Sequence, residues 1–116
     1  MKPYRFTIPG KPVVQQRARR GKHGNFYDPS KEAKDTLAWE MLQQKGMNGL
    51  PLLLKEVALE VVFYGLGKGD LDNAVKALMD AGNGILWKDD KQIICIEAHA
   101  VRKSKAPRTS FIVKEI

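Results

Sequence analysis

Cysteine is almost absent from this chain. Cys95 is the only one, which excludes an internal disulfide and any zinc site built on several thiolates. Histidine is nearly as scarce: His23 and His99 lie far apart, and neither has a ligand-like neighbour three or four positions on. Cys95 sits inside the apolar run Ile93-Ile94-Cys95-Ile96 and reads as a small buried hydrophobe. No apolar run approaches the roughly 20 residues that cross a bilayer. The start, Met1-Lys2-Pro3-Tyr4-Arg5, leads into no signal-like apolar stretch. The expectation is a cytoplasmic protein with no membrane contact and no small-molecule cofactor.

Acid is also in short supply, with 13 Asp and Glu against 20 Lys and Arg and a net charge of +7. A basic excess favours phosphate-bearing polymers as partners. Its distribution is the sharper observation. From Lys11 to Tyr27 there is no acid, and the stretch carries Lys11, Arg17, Arg19, Arg20 and Lys22. A second acid-free stretch, Ala98 to Lys114, carries Arg102, Lys103, Lys105, Arg108 and Lys114. An aspartate-rich segment, Asp70 to Asp90, lies between them.

What is present suits one compact domain over residues 1–116, since a 43% hydrophobic content is enough for a core. Tyr4 to Ile8 alternates at period two and predicts a strand, which Pro9-Gly10 and Pro12 end. Residues 11–27 read as a long basic loop, of a length that in compact domains tends to be functional. Asp28-Pro29 signals a helix start, with Asp28 as N-cap, running to about Lys45 with Gly46 as its stop. Ala33, Leu37 and Met41, with Ala38 and Leu42, are its expected core face, and Trp39 reads as core or dimer interface.

Lys55 to Tyr64 alternates, with Val57, Leu59, Val61 and Phe63 on one face, and predicts a second strand. Gly65-Leu66-Gly67-Lys68-Gly69 breaks it, and a helix over Leu71–Ala81 follows, closed by Gly82-Asn83-Gly84. Ile85–Trp87 predicts a short strand, Lys88–Lys91 a turn, Ile93–Arg102 a strand, Ser104–Pro107 a turn, and Ser110–Ile116 a last strand. The order β-α-β-α-β-β-β predicts an α/β (α+β) domain: a small mixed sheet with two helices.

Gly69-Asp70-Leu71-Asp72-Asn73-Ala74-Val75-Lys76 stands where the glycine loop meets the second helix. Asp70 and Asp72 can converge at the helix N-terminus, and carboxylates one residue apart suit a hard cation such as Mg²⁺. The same residues can serve as a cap and a first-turn acid alone, and Asp72, Lys76 and Asp80 can form an i, i+4, i+8 charge ladder. A calcium loop of the EF-hand type is excluded, because counting from Asp70 the sixth residue is Val75 and the twelfth Ala81. The pair Asp89-Asp90 changes the balance. Adjacent like charges repel unless screened, and a cation shared among Asp70, Asp72 and Asp90 would offset that repulsion. An acidic pocket framed by cationic arms suits phosphodiester hydrolysis.

Asp70-Leu71-Asp72-Asn73, then Lys76, then Asp80, then Trp87-Lys88-Asp89-Asp90-Lys91-Gln92-Ile93 resemble the RusA family of Holliday junction resolvases. The resemblance is strongest over Asp70 to Ile93. It implies a homodimeric, Mg²⁺-dependent endonuclease, with Mn²⁺ as a substitute, that nicks four-way DNA symmetrically in recombination and repair. By position, Asp70, Asp72 and Asp90 match the family's essential carboxylates and Lys76 a functionally important lysine. Asp89 matches an acidic neighbour of the third carboxylate. Where relatives often carry arginine before the first motif, this chain has only Lys68. Gly82-Asn83-Gly84 likewise replaces a more apolar stretch.

The expected roles follow: Asp70, Asp72 and Asp90 as metal ligands, and Lys76 as a charge-balancing or water-positioning group, or simply a helix partner of Asp72. Lys11, Arg17, Arg19, Arg20, Lys22 and Lys68 are expected to contact DNA phosphates. The first helix and the Leu50–Leu54 run are candidate dimer surfaces. Two rival readings stand: a flap or single-strand nuclease, and a non-catalytic DNA-structure-binding or phage regulatory protein.

Overall fold

The alternation read between Lys55 and Tyr64 builds the central strand of a computed structural model that describes residues 3–116. This strand, β4 (Val57–Tyr64), buries Val57, Leu59, Val61 and Phe63 on one face. The other strands of its sheet are β1 (Tyr4–Pro9), β5 (Ile93–Val101) and β6 (Arg108–Glu115), in the order β1-β6-β4-β5. β6 pairs antiparallel with both β1 and β4, while β4 and β5 run parallel. The α+β architecture, a small mixed sheet with two helices, is the one expected.

Parallel neighbours cannot be joined by a tight turn. The link here is α2 (Leu71–Gly82), which returns antiparallel to both strands. Its N-terminus therefore stands at the C-terminal ends of β4 and β5, and its C-terminus at their starts. Helix α1 (Lys31–Asn48) packs against α2 and β1 on the same side of the sheet. The core lies between helices and sheet. Phe6 and Phe111 stack there with centroids 4.9 Å apart, joined by Leu37, Met41, Leu78, Trp87 and Val113.

Several expectations are corrected. The N-cap of α1 is Ser30, not Asp28; Asp28 Oδ1 instead accepts from the backbone N–H of Ser30 at 2.9 Å and shapes the turn before the helix. The helix runs through Gly46 and stops at Gly49, whose φ of 64° is the left-handed conformation glycine adopts without penalty. Leu42 and Ala33 are exposed, so the core stripe of α1 is narrower than expected, centred on Leu37 and Met41; Trp39 is exposed too, which removes its core reading but not the dimer-interface one. Of the Leu50–Leu54 run, Leu50 and Leu53 are core residues and not open for a dimer contact, whereas Leu54 is exposed.

Cys95 is exposed rather than buried. It pairs in register with Ala58, on the sheet face away from the helices, and among the described residues β5 is an edge strand with no neighbour beyond it. An apolar run on an edge strand is not covered on both faces, which reverses the usual inference. Ile85–Trp87 forms only isolated bridges, from Trp87 to Leu53 and Asn83, and Asp90–Gln92 is a single 3₁₀ turn. The basic loop holds a two-stranded hairpin of its own, β2 (Arg19–Arg20) with β3 (Phe26–Tyr27), too short to show periodicity.

Candidate active site

Asp70 and Asp72 reach the surface together because the glycine loop ends β4 and Asp70 occupies the N-cap position of α2. The Asp70 carbonyl accepts the first helical bond, from Ala74 N–H at 3.0 Å, but its carboxylate caps no backbone N–H. The capping alternative for Asp70 is therefore not used. Asn73 touches both acids: its Nδ2 donates to Asp70 Oδ2 at 3.3 Å and its backbone N–H to Asp72 Oδ1 at 3.0 Å. Both carboxylates are exposed, and among the described residues neither has a cationic partner. Exposed, unpaired carboxylate oxygens are the hard donors that Mg²⁺ takes.

The charge ladder also fails to form. Among the described residues Lys76 pairs with neither Asp72 nor Asp80 and remains exposed beside them. Asp80 instead lies 3.6 Å from Lys34 of α1, whose Nζ binds Asp28 at 2.7 Å. The Lys34 ammonium, then the hydroxyl and backbone N–H of Ser30, hold the Asp28 carboxyl far below its ordinary value. Gln15 joins this group through Nε2, 3.3 Å from both Asp28 carboxylate oxygens. Its backbone N–H donates to Asn73 O at 3.0 Å, so the root of the basic loop is tied to the first turn of α2. Gln16, Arg17, Asp72, Asn73 and Lys76 consequently line one cleft.

Asp90 is not in that cleft. Its Oδ2 accepts from Asn83 Nδ2 at 3.3 Å, and Asn83 is the C-cap of α2. The 12 residues of α2 separate it from Asp70, about 18 Å at a rise of 1.5 Å per residue. No cation is shared over such a span, and among the described residues no three Asp, Glu, His or Cys side chains stand together as a metal site. The expected convergence of Asp70, Asp72 and Asp90 is thus absent within one chain.

Asp89 shapes the turn that presents Asp90. Its Oδ1 accepts from Lys91 N–H at 2.9 Å, and Gln92 Oε1 accepts from Asp89 N–H at 2.8 Å, a reciprocal capping box. The Lys91 N–H is the main reason the Asp89 carboxyl is lowered. Gln92 Nε2 continues to the carbonyls of Leu53 and Lys55, both at 2.9 Å, fastening the turn to the core.

The expected phosphate-contacting residues, Lys11, Arg17, Arg19, Arg20, Lys22 and Lys68, are all exposed. The second basic stretch is put to more structural use. Arg102 donates through Nη1 to the carbonyls of Gly67 and Gly69, holding the loop that leads to Asp70. Arg108 lies 3.8 Å over the Tyr64 ring. Sequence reasoning missed Asn73, Asn83 and the Gln15–Asp28–Lys34 group as site-building residues. Asn73 and Asn83 each follow an aspartate-bearing stretch, but their partners are fixed only by the fold.

A family model described as endodeoxyribonuclease RusA matches residues 9–114 of the chain. No curated protein matches it.

Proposed function

Since the chain belongs to the RusA family of endodeoxyribonucleases, we propose that it resolves Holliday junctions, nicking four-way DNA symmetrically as a Mg²⁺-dependent homodimer in the cytoplasm during recombination and repair. The observation that carries this reading is the unpaired Asp70–Asp72 carboxylate pair, held at the root of the cationic loop by Asn73 and Gln15. A protein that only bound polyanion would gain nothing from exposed carboxylates there.

Asp70, Asp72 and Asp90 would hold the metal, with Mn²⁺ able to replace Mg²⁺. When bound, the ion supplies water activation and neutralises charge on the phosphate. The chain's own residues do the rest. Arg17, Arg19, Arg20, Lys22, Lys11 and Lys68 attract and align the DNA backbone. Lys76, exposed and one helical turn from Asp72, places a positive charge where the phosphate gathers negative charge. Asn73 and Asn83 orient the carboxylates at the two ends of α2.

The distance from Asp90 to the other two acids gives dimerisation a physical purpose. β5 is the open edge of the sheet, and Ile94 and Ile96 along it are 53% and 42% exposed. An apolar edge with unpaired backbone groups invites another strand. β5 begins just after Asp90 and ends at the segment whose Arg102 holds the glycine loop before Asp70. Two β5 strands paired antiparallel about a two-fold axis would set Asp90 of each copy toward Asp70 and Asp72 of the other. Two composite sites would result, related by the symmetry that a four-way junction itself offers.

The test is cleavage of a labelled four-way junction, a fork and a duplex by wild type and Asp70→Asn, with and without Mg²⁺. Nicking confined to the junction, dependent on Mg²⁺ and lost in Asp70→Asn is expected. Preferential cleavage of the fork would assign a flap nuclease instead. Junction binding without nicking in either Mg²⁺ or Mn²⁺ would assign a non-catalytic binder.

A further inference from the structure

The hairpin β2–β3 shows side chains that phosphate binding does not use. Phe26 is 73% exposed and Tyr27 49% exposed. These are neighbouring aromatics on a two-stranded sheet that, among the described residues, joins no other strand. An exposed phenyl ring costs solvation, and nothing in the core requires these rings. Each faces an arginine across the hairpin: Arg20 pairs with Phe26 and Arg19 with Tyr27. The Arg20 guanidinium lies 5.8 Å from the Phe26 ring centre.

Alternating cations and flat apolar faces is the surface that unpaired nucleic acid selects, since bases stack on aromatics while the backbone meets the charge. A protein partner would have to complement a stretch from Lys11 to Tyr27 that contains no acid and five basic residues. DNA does so without special provision. The hairpin also springs from the loop that Gln15 ties to Asn73, next to Asp70 and Asp72. A base held on its ring would therefore lie on the strand that passes the carboxylates.

We propose that Phe26, with Tyr27 beside it, is a stacking wedge that takes a base exposed at the branch point of a DNA junction and so confers preference for junctions over duplex. This rests on the nuclease reading above. A regular duplex presents no free base face to a ring standing on its surface, whereas a branch point interrupts the stack. Stacking thereby distinguishes the two structures where phosphate contacts, alike in both, cannot.

The experiment measures binding in EDTA to a four-way junction carrying 2-aminopurine at the branch point and to a duplex of the same arms. Wild type, Phe26→Ala and Phe26→Trp are compared, with thermal melting as the folding control. Phe26→Ala is expected to bind the junction about tenfold more weakly, to change duplex binding little, and to lose the 2-aminopurine signal change. Phe26→Trp should restore both. Equal effects of Phe26→Ala on junction and duplex, or no effect on either, overturn the wedge. A changed oligomeric state with junction preference intact also overturns it, and assigns the ring to a protein interface. With nicking measured in parallel in Mg²⁺, a wild type that nicks junctions while Phe26→Ala keeps full binding preference refutes the wedge alone. A wild type with neither nicking nor preference refutes the nuclease reading as well.

Discussion

The buried indole of Trp87 donates from Nε1 to Asn83 Oδ1 at 3.1 Å, and this bond decides which way the Asn83 amide faces. Indole can only donate, so Asn83 must turn its oxygen inward and its Nδ2 outward, toward Asp90 Oδ2 at 3.3 Å. A core residue thereby aims a surface carboxylate. Trp87 keeps a second acceptor, the Met79 carbonyl at 3.2 Å, so the indole stays satisfied if Asn83 is replaced.

That bond makes Asn83 a positioning residue with a separable effect. Asn83→Ala should cost only about 1 kcal/mol of stability but lower junction nicking by roughly tenfold or more, as loss of a ligand-orienting partner does. Asn83→Asp keeps the acceptor for Trp87 but sets a carboxylate against Asp90, and should nick no better than Asn83→Ala. Melting temperature and single-turnover nicking, measured together, check this. A loss of activity that merely follows the loss of stability would refute it.

The proposed sharing of Asp90 between copies has a sharp consequence for mixtures. Asp70→Asn and Asp90→Asn homodimers should both be inactive. When they are mixed, each heterodimer has one intact composite site, so roughly a quarter of wild-type sites return at random assembly of equal amounts. If all three acids acted within one chain, every site in the mixture would carry a lesion and no activity would return.

Asp28 gives the fold an acid-dependent fastening. Its folded-state value is lowered by Lys34 and Ser30, so its contribution is fully present above the unfolded carboxylate value, about 3.9. It fades as pH falls below that toward the folded value. Asp28→Asn should melt lower than wild type at pH 7, and the gap should narrow steadily as pH drops below about 4. A gap independent of pH would show that the carboxylate charge is not what fastens Gln15, Ser30 and Lys34.

Gly82 is required by close packing. A Cβ there would collide with the six-membered ring of Trp87. Gly82→Ala should therefore destabilise by about 1–3 kcal/mol, as overpacking of a filled core does, and disturb Asp90 through Trp87 and Asn83. Wild-type melting in this variant would mean that the ring has room to move.

Charge in the basic loop predicts the salt response. Replacing Arg17, Arg19, Arg20 and Lys22 together by alanine should weaken duplex and junction binding alike. It should also flatten the slope of log affinity against log salt by about 0.9 for each phosphate that is no longer neutralised. An unchanged slope would remove the loop from the DNA interface.

Much of the architecture was readable from the chain because it rests on local rules. The alternation of Val57 to Phe63 names a strand with one buried face, and the apolar spacing of Leu71 to Ala81, after a glycine loop, names a helix that begins just after Asp70. The Asp70–Asp72 pair and the basic residues flanking it are equally local facts. The β2–β3 hairpin was not readable, since strands of two residues are too short to carry a period. Asp28 resembled an N-cap because capping chemistry is the same just before the helix, where it holds Ser30 and Lys34 instead.

Local sequence thus specified the longer elements, the family and which side chains bring charge to the surface. Those properties depend on period, spacing and composition over a few residues. That β5 is an edge, which exposes Cys95, and that α2 lies as a rod between Asp70 and Asp90 came from the folded arrangement alone. Strand order and the length of an intervening helix are relations among distant segments, set by how the core closes around Trp87 and Phe111.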